Sequence, residues 1–243
     1  MEVLEKLRNN NVDEKAYTAR SFSHLNLDFL VTNTTLQSLS IVIPGEITFE
    51  GIQHSRNLRK LYLVAGHTFD ISPLFHNTSL RELYISQNID IDYNAIFQMR
   101  NLETLFISNN GISDISFLCE NTTLTSLALN FNEVHDLFPL RYNSTLTDLC
   151  LNDNDVTDLT PLQYNNTLVH LELHLNRISD ISPLRGNTSL CYLGIDHNPL
   201  DMADECEIRN LKKCLELNTY NTPLRRTILF SKVMEYCEIH NYI

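Results

Sequence analysis

The residues best equipped for chemistry lie close together late in the chain: Asp148, Asn152, His170, Glu172, His174, Asp196 and His197. Imidazole and carboxylate are good zinc ligands and the commonest partners in proton transfer. If this stretch is extended, however, His170 and His174 stand roughly 13 Å apart at about 3.3 Å per residue, too far to share an ion. His174 could meet Asp196 from a neighbouring strand, but two ligands on an open surface make a poor metal site. No metal, cofactor or small-molecule substrate is therefore expected. The acidic, histidine-bearing group reads instead as a contact surface whose charge responds to pH.

Other chemical signatures point the same way. The six glycines are scattered and form no phosphate-cradling loop, and neither HExxH nor GxSxG occurs, so no enzyme is expected. Asn33, Asn77, Asn121, Asn143, Asn165 and Asn187 each open an Asn-x-Ser/Thr sequon. They recur on a fixed grid, which predicts a copied turn or capping element rather than six glycans. Six cysteines (Cys119, Cys150, Cys191, Cys206, Cys214, Cys237) form no CxxC pair and read as reduced thiols.

A formal charge of −12 and a pI near 5.1 argue against nucleic acid, which is bound by clustered Lys and Arg, and favour a protein partner with a basic surface. The opening MEVLEKLRNNNVDEK has no apolar h-region. No apolar run approaches the roughly 18 residues of a membrane span. A cytoplasmic chain without membrane contact is expected. Abundant Asn, Ile, Tyr and Phe with no Trp suit an AT-rich genome such as that of a large DNA virus or a protist, making host cytoplasm or a virion a further expected setting.

What must position these residues is a repeat. Leu36, Leu58, Leu80, Leu102, Leu124, Leu146, Leu168 and Leu190 are each 22 residues apart without an insertion or deletion. The unit from Leu168 reads LVHLELHLNRISDISPLRGNTS. Its second and third leucines alternate with polar residues, as a strand with one buried face requires. Apolar residues then recur every third position (Val156, Leu159, Leu162; Ile178, Ile181, Leu184), which predicts a short 3₁₀ turn. Position nine is Asn at 88, 110, 132, 154, 176 and 198, and is replaced by Pro44 and Gly66 in the first two units. A ladder of amides satisfying loop backbone is the expected role. One unit cannot close a core, so units must stack strand beside strand at about 4.8 Å.

The phrase LxxLxLxxNxIxDIxPL resembles the leucine-rich repeat family, in particular its 22-residue class, similar to internalins and to a regulatory leucine-rich repeat protein of phosphatase-1. The resemblance implies an α/β solenoid: a right-handed arc with a concave parallel sheet, convex 3₁₀ or irregular segments, and capped ends. We read residues 1–24 as a helical N-terminal cap, with helix over Asp13–Phe22, and 25–200 as a solenoid of eight repeats. Residues 201–243 read as a helical C-terminal cap, with helices over Asp204–Leu217 and Leu224–Ile239. The first repeat departs from the pattern at Pro44, Gly45 and Glu46.

Aligned across repeats, the central outward column of the strands is Ser40, Tyr62, Tyr84, Phe106, Ala128, Cys150, Glu172, Gly194. Three consecutive aromatics on an exposed face would anchor a partner. The expected function is a non-catalytic protein–protein interaction module. Its contact set is Lys60, Tyr62, Glu82, Tyr84, Phe106, Asp148, His170, Glu172, His174 and Asp196. The alternative is an architectural component of a larger assembly, such as a virus particle or scaffold, held through its flanks or caps.

Overall fold

The computed structural model describes residues 15–20, 24–43, 45–65, 70–86 and 93–200. The strands are β1 (Ala16–Arg20), β2 (His24–Asn26), β3 (Ser38–Ile43), β4 (Glu46–Thr48), β5 (Lys60–Ala65), β6 (Glu82–Ser86) and β7 (Thr104–Ser108). They continue as β8 (Ser126–Ala128), β9 (Asp148–Cys150), β10 (His170–Glu172) and β11 (Tyr192–Gly194). Nine of them form one parallel sheet in the order β1-β3-β5-β6-β7-β8-β9-β10-β11, while β2 and β4 form a small parallel pair. Each neighbouring pair is in register at a 22-residue offset, such as Leu83 with Leu105 and Leu149 with Leu171.

The period predicts the interior. Leu83, Leu127 and Leu171 are 0% exposed, and Leu39, Leu61, Leu105 and Leu149 are buried to the same degree. With the first Leu of each unit and the apolar residues of the turns they form one continuous core. Burying one such side chain contributes about 1.5–3 kcal/mol. The connections carry 3₁₀ turns, including Ser72–His76, Phe138–Leu140, Thr160–Leu162 and Ser182–Gly186, and no α-helix occurs among the described residues. Pro73, Pro139, Pro161 and Pro183 sit in the first positions of four of these turns, where the missing N–H costs nothing. The Asp ahead of each turn closes an Asx turn: Oδ1 of Asp70, Asp114, Asp136, Asp158 and Asp180 accepts the backbone N–H two residues on, at 2.7–2.8 Å.

Two amide ladders bind unit to unit. In the first, Asn154 Oδ1 accepts the N–H of Val134 (2.9 Å) while its Nδ2 donates to the carbonyls of Leu129 and Leu151 (2.9 and 3.1 Å). Asn132, Asn176 and Asn198 donate in the same way to the carbonyl 25 residues back. The second ladder is made by the sequons. Asn77 Oδ1 accepts the N–H groups of Ser79 and Leu80, its Nδ2 donates to Ile52 O, and the Ser79 hydroxyl donates to Leu58 O. Thr123, Thr145 and Thr167 repeat that hydroxyl bond at 2.8 Å. Asn33, Asn77, Asn143, Asn165 and Asn187 are buried, so their amides serve the backbone of the solenoid.

The N-terminal end corrects one expectation. Ala16–Arg20, inside the stretch read as helix, is a strand that pairs with β3, Tyr17 opposite Leu39 and Ala19 opposite Ile41. Local helix propensity yields to the unpaired edge of β3, which needs donors and acceptors along its length. The solenoid therefore has one more strand than the eight repeats supply. At the irregular first repeat, Glu46–Thr48 pairs with His24–Asn26, and Ile47 enters the core. Residues 1–14 and 21–23 of the predicted N-terminal cap and all of the C-terminal cap, 201–243, lie outside the described residues.

Candidate functional site

Alternation in β5, β6 and β7 turns Tyr62, Tyr84 and Phe106 away from the leucine core onto the concave face, as predicted. Their predicted exposure is corrected: they are 6%, 0% and 3% exposed and form a second apolar cluster with Ala128 and Cys150. In-register parallel strands bring like positions so close that the rings cover one another. Tyr62 and Tyr84 stack at 4.2 Å between centroids, and Phe106 meets Tyr84 edge-on at 4.7 Å. The Tyr84 hydroxyl donates to Glu82 Oε2 (2.8 Å), which also faces Lys60 Nζ at 3.2 Å. Burial, with Tyr62 and Glu82 alongside, pushes the Tyr84 phenol far above its usual range. Lys60, Tyr62, Glu82, Tyr84 and Phe106 are thus brought together, as a packed cluster.

The second group assembles around β9–β11. Asp148 and His170 are register partners, as are Cys150 and Glu172. His170 Nε2 lies 2.9 Å from Glu172 Oε1, and Asn152 Nδ2 donates to Glu172 Oε2 at 2.6 Å. Tyr192 stacks flat on the His170 ring at 4.4 Å. His170 and Asp148 are buried, at 4% and 7% exposed, again contrary to an open surface. For Glu172, burial alone would raise the carboxyl pKa; the hydrogen bonds from His170 and Asn152 outweigh it and hold the group below its ordinary value. Burial and the adjacent Glu172 raise the Cys150 thiol.

His174 stands apart from His170. Its Nδ1 accepts the backbone N–H of Asp196 (3.1 Å), repeating what Asn130 Oδ1 does for Asn152 and Asn152 Oδ1 does for His174. The Asp196 carboxylate stands 3.4 Å from the same Nδ1. The ring lies over Gly194, where a Cβ would collide with His174.

Spacing had not singled out the rim of the sheet. Asn109, Phe131, Asp153, Leu175 and His197 occupy equivalent places just after their strands, all with φ between 55° and 61°. Asn, Asp and His tolerate that left-handed conformation; bulky apolar residues there are unusual. Phe131 and Leu175 are nevertheless 57% and 50% exposed. Position eight of the repeat mixes apolar and polar residues (Ile43, Ala65, Gln87, Asn109, Phe131, Asp153, Leu175, His197), so residue type alone does not mark them. Phe138, Tyr142 and Tyr164 form a separate exposed group beside the 3₁₀ turns, with the Arg141 guanidinium over the first two rings at 5.7 and 5.3 Å.

Residues 100–142 match the family model for leucine rich repeats (2 copies). Among solved structures, internalin C2 of Listeria monocytogenes is 25% identical with a TM-score of 0.64, over 74% of this chain and 80% of that one. A leucine-rich repeat protein of Leptospira interrogans is 20% identical with a TM-score of 0.68, over 77% of this chain and 50% of that one. A plant peptide hormone receptor, RGFR1, solved in complex with RGF2, is 19% identical with a TM-score of 0.60, over 76% of this chain and 32% of that one. No curated protein sequence matches the chain. Proteins of this fold generally mediate protein–protein interaction and are typically non-catalytic. The 22-residue phrase, the in-register parallel sheet, the amide ladders and these likenesses together show the leucine-rich repeat fold.

Proposed function

We propose that the chain is a non-catalytic interaction module that takes a protein or peptide with a basic surface along the C-terminal part of its concave rim. The observation that carries this reading is the pair Phe131 and Leu175. Both are bulky, half exposed and held in a left-handed backbone conformation that costs about 1 kcal/mol or more for such residues. The left-handed backbone itself is repaid by the repeat, since the N–H groups of Phe131 and Leu175 donate to Asn152 O and Asp196 O at 2.9 and 3.0 Å; what the interior does not use are the bulky apolar side chains placed there, which a partner would cover. Exposed Tyr192 and the half-buried His174 extend the same surface, and exposed Asp153, between the two apolar residues, and Asp196 supply negative charge toward a basic partner. The concave anchors expected at Tyr62, Tyr84 and Phe106 pack on one another in the earlier strands β5, β6 and β7. Free thiols at Cys119, Cys150 and Cys191 suit a cytoplasmic setting for the module.

The test uses a photo-crosslinking amino acid at position 131 or 175 to capture the partner in its native cell, followed by titration of the purified pair. Phe131→Asn with Leu175→Asn should raise stability and weaken binding about tenfold or more; unchanged affinity would move the site off the rim. A second reading, a component of a larger assembly, is favoured by the exposed Phe138, Tyr142 and Tyr164. Replacing these three by Ser should then release the chain from a particle of fixed stoichiometry while leaving the crosslinked partner bound.

A further inference from the structure

The central concave column changes character at Cys150. From Tyr62 to Ala128 it is apolar; at Cys150 and Glu172 it carries a thiol and a carboxylate beside the His170 imidazole. One ligand atom from each of the three lies within 4.8 Å of the others, the only such convergence of three His, Cys, Asp or Glu side chains among the described residues. Cys150 and His170 are 2% and 4% exposed, and the Glu172 side chain is 15% exposed, so the donors sit in a shielded environment rather than on a loose surface.

We propose that Cys150 Sγ, His170 Nε2 and Glu172 Oε1 form a binding site for one zinc ion. Bond lengths of about 2.3 Å to sulfur and about 2.0–2.1 Å to nitrogen and oxygen place the donors of a tetrahedral zinc ion roughly 3.5 Å apart. The trio needs only side-chain rotation to reach that: His170 and Glu172 open from 2.9 Å, and the wider pairs close from at most 4.8 Å. The donor set of thiolate, imidazole and carboxylate suits a borderline-soft divalent cation and disfavours magnesium or calcium, which want oxygen alone. Zinc neutralises a buried thiolate and carboxylate together, a pair that is expensive without a countercharge. Outer contacts already orient the ligands. Asn152 Nδ2 holds Glu172 Oε2, the Tyr192 ring lies on His170, and Asp148, which accepts from Thr147 Oγ1 at 2.6 Å, stands beside His170 as a further carboxylate. Three protein donors leave a fourth position for water or a further ligand.

The site is independent of the partner-binding reading and is tested on the full chain, stripped with a chelator and titrated with zinc(II) or with cobalt(II) as its spectroscopic stand-in. One equivalent per chain should bind, with a thiolate-to-cobalt charge-transfer band. X-ray absorption of the unaltered zinc-loaded protein should show a single sulfur among nitrogen and oxygen neighbours. Cys150→Ser should abolish the band, Glu172→Gln should weaken binding about tenfold or more, and Cys119→Ser should change neither. No uptake, two or more sulfurs around the metal, or a band that survives Cys150→Ser would overturn the proposal. The absorption measurement on the unaltered protein decides the matter even where a variant fails to fold.

Discussion

The Nδ1 atom of His174 accepts the backbone N–H of Asp196, one repeat further on, at 3.1 Å, and so does for its neighbour what the amide oxygens of Asn130 and Asn152 do for theirs. This histidine is a hydrogen-bond acceptor within the solenoid before it is anything else. His174→Asn should therefore be nearly neutral in a urea melt, while His174→Ala should cost about 1 kcal/mol. Equal losses in the two variants would show that the ring, not its acceptor, is what the structure uses.

The inner ladder has higher stakes because its partners are buried. Asn154→Ala strips the Val134 N–H of its acceptor and takes one of two donors from the carbonyls of Leu129 and Leu151, which keep Asn132 and Asn176. At about 1–3 kcal/mol for a buried group left unpaired, the expected loss is roughly 1–3 kcal/mol. Chemical denaturation measures it, and exchange of the Val134 amide should quicken in parallel.

Two glycines should respond oppositely to alanine. Gly51 has φ of +99°, and a Cβ there would lie 2.8 Å from both Asp28 Cα and Leu27 O, so Gly51→Ala should lose more than about 1 kcal/mol. At Gly186 the nearest atom to a Cβ is Gln163 O at 3.9 Å, and Gly186→Ala should stabilise by about 0.4–1 kcal/mol. Thermal melts of the two variants check both signs.

The Asx turn of the unit from Leu168 makes a pH prediction. The backbone N–H of Ser182 and then its hydroxyl, at 2.7 and 2.9 Å, hold the Asp180 carboxyl below the ordinary aspartate range. A depressed folded-state pKa contributes stability that is present above the unfolded value, near 3.9, and is lost as pH falls through the folded one. A carboxyl carbon NMR titration should place the Asp180 midpoint below that of Asp180 in the acid-unfolded chain. Ser182→Ala should move it back upward.

Much of this arrangement is legible from spacing because the solenoid is built by translation: once Leu83, Leu105 and Leu127 are placed at equal intervals, their register and burial follow. The ladder role of Asn132, Asn154 and Asn176 and the turn role of the sequons are readable for the same reason. What escapes is whatever breaks or crosses the translation. Tyr17 and Ala19 occupy the leucine positions of an earlier strand, and without leucines the stretch reads as helix. The burial of Tyr84 depends on how far rings on three strands cover each other, which alternation alone does not state. The convergence of Cys150 on His170 and Glu172 runs across strands, whereas the distance between His170 and His174 runs along one; only the second is counted by residue spacing. Phe131 and Leu175 stand out only once the left-handed backbone beneath them is seen.

Each ladder amide donates to a carbonyl 25 residues behind it, and several accept a backbone N–H from about 20 behind. A lone inserted or deleted residue between two rungs would orphan both ends of every bond that spans it. Removal of a complete 22-residue unit would hand each rung an equivalent partner. The length of such a chain is therefore quantised: it can grow or shrink by whole turns of the coil, and duplication in frame is the one edit that the interior does not register.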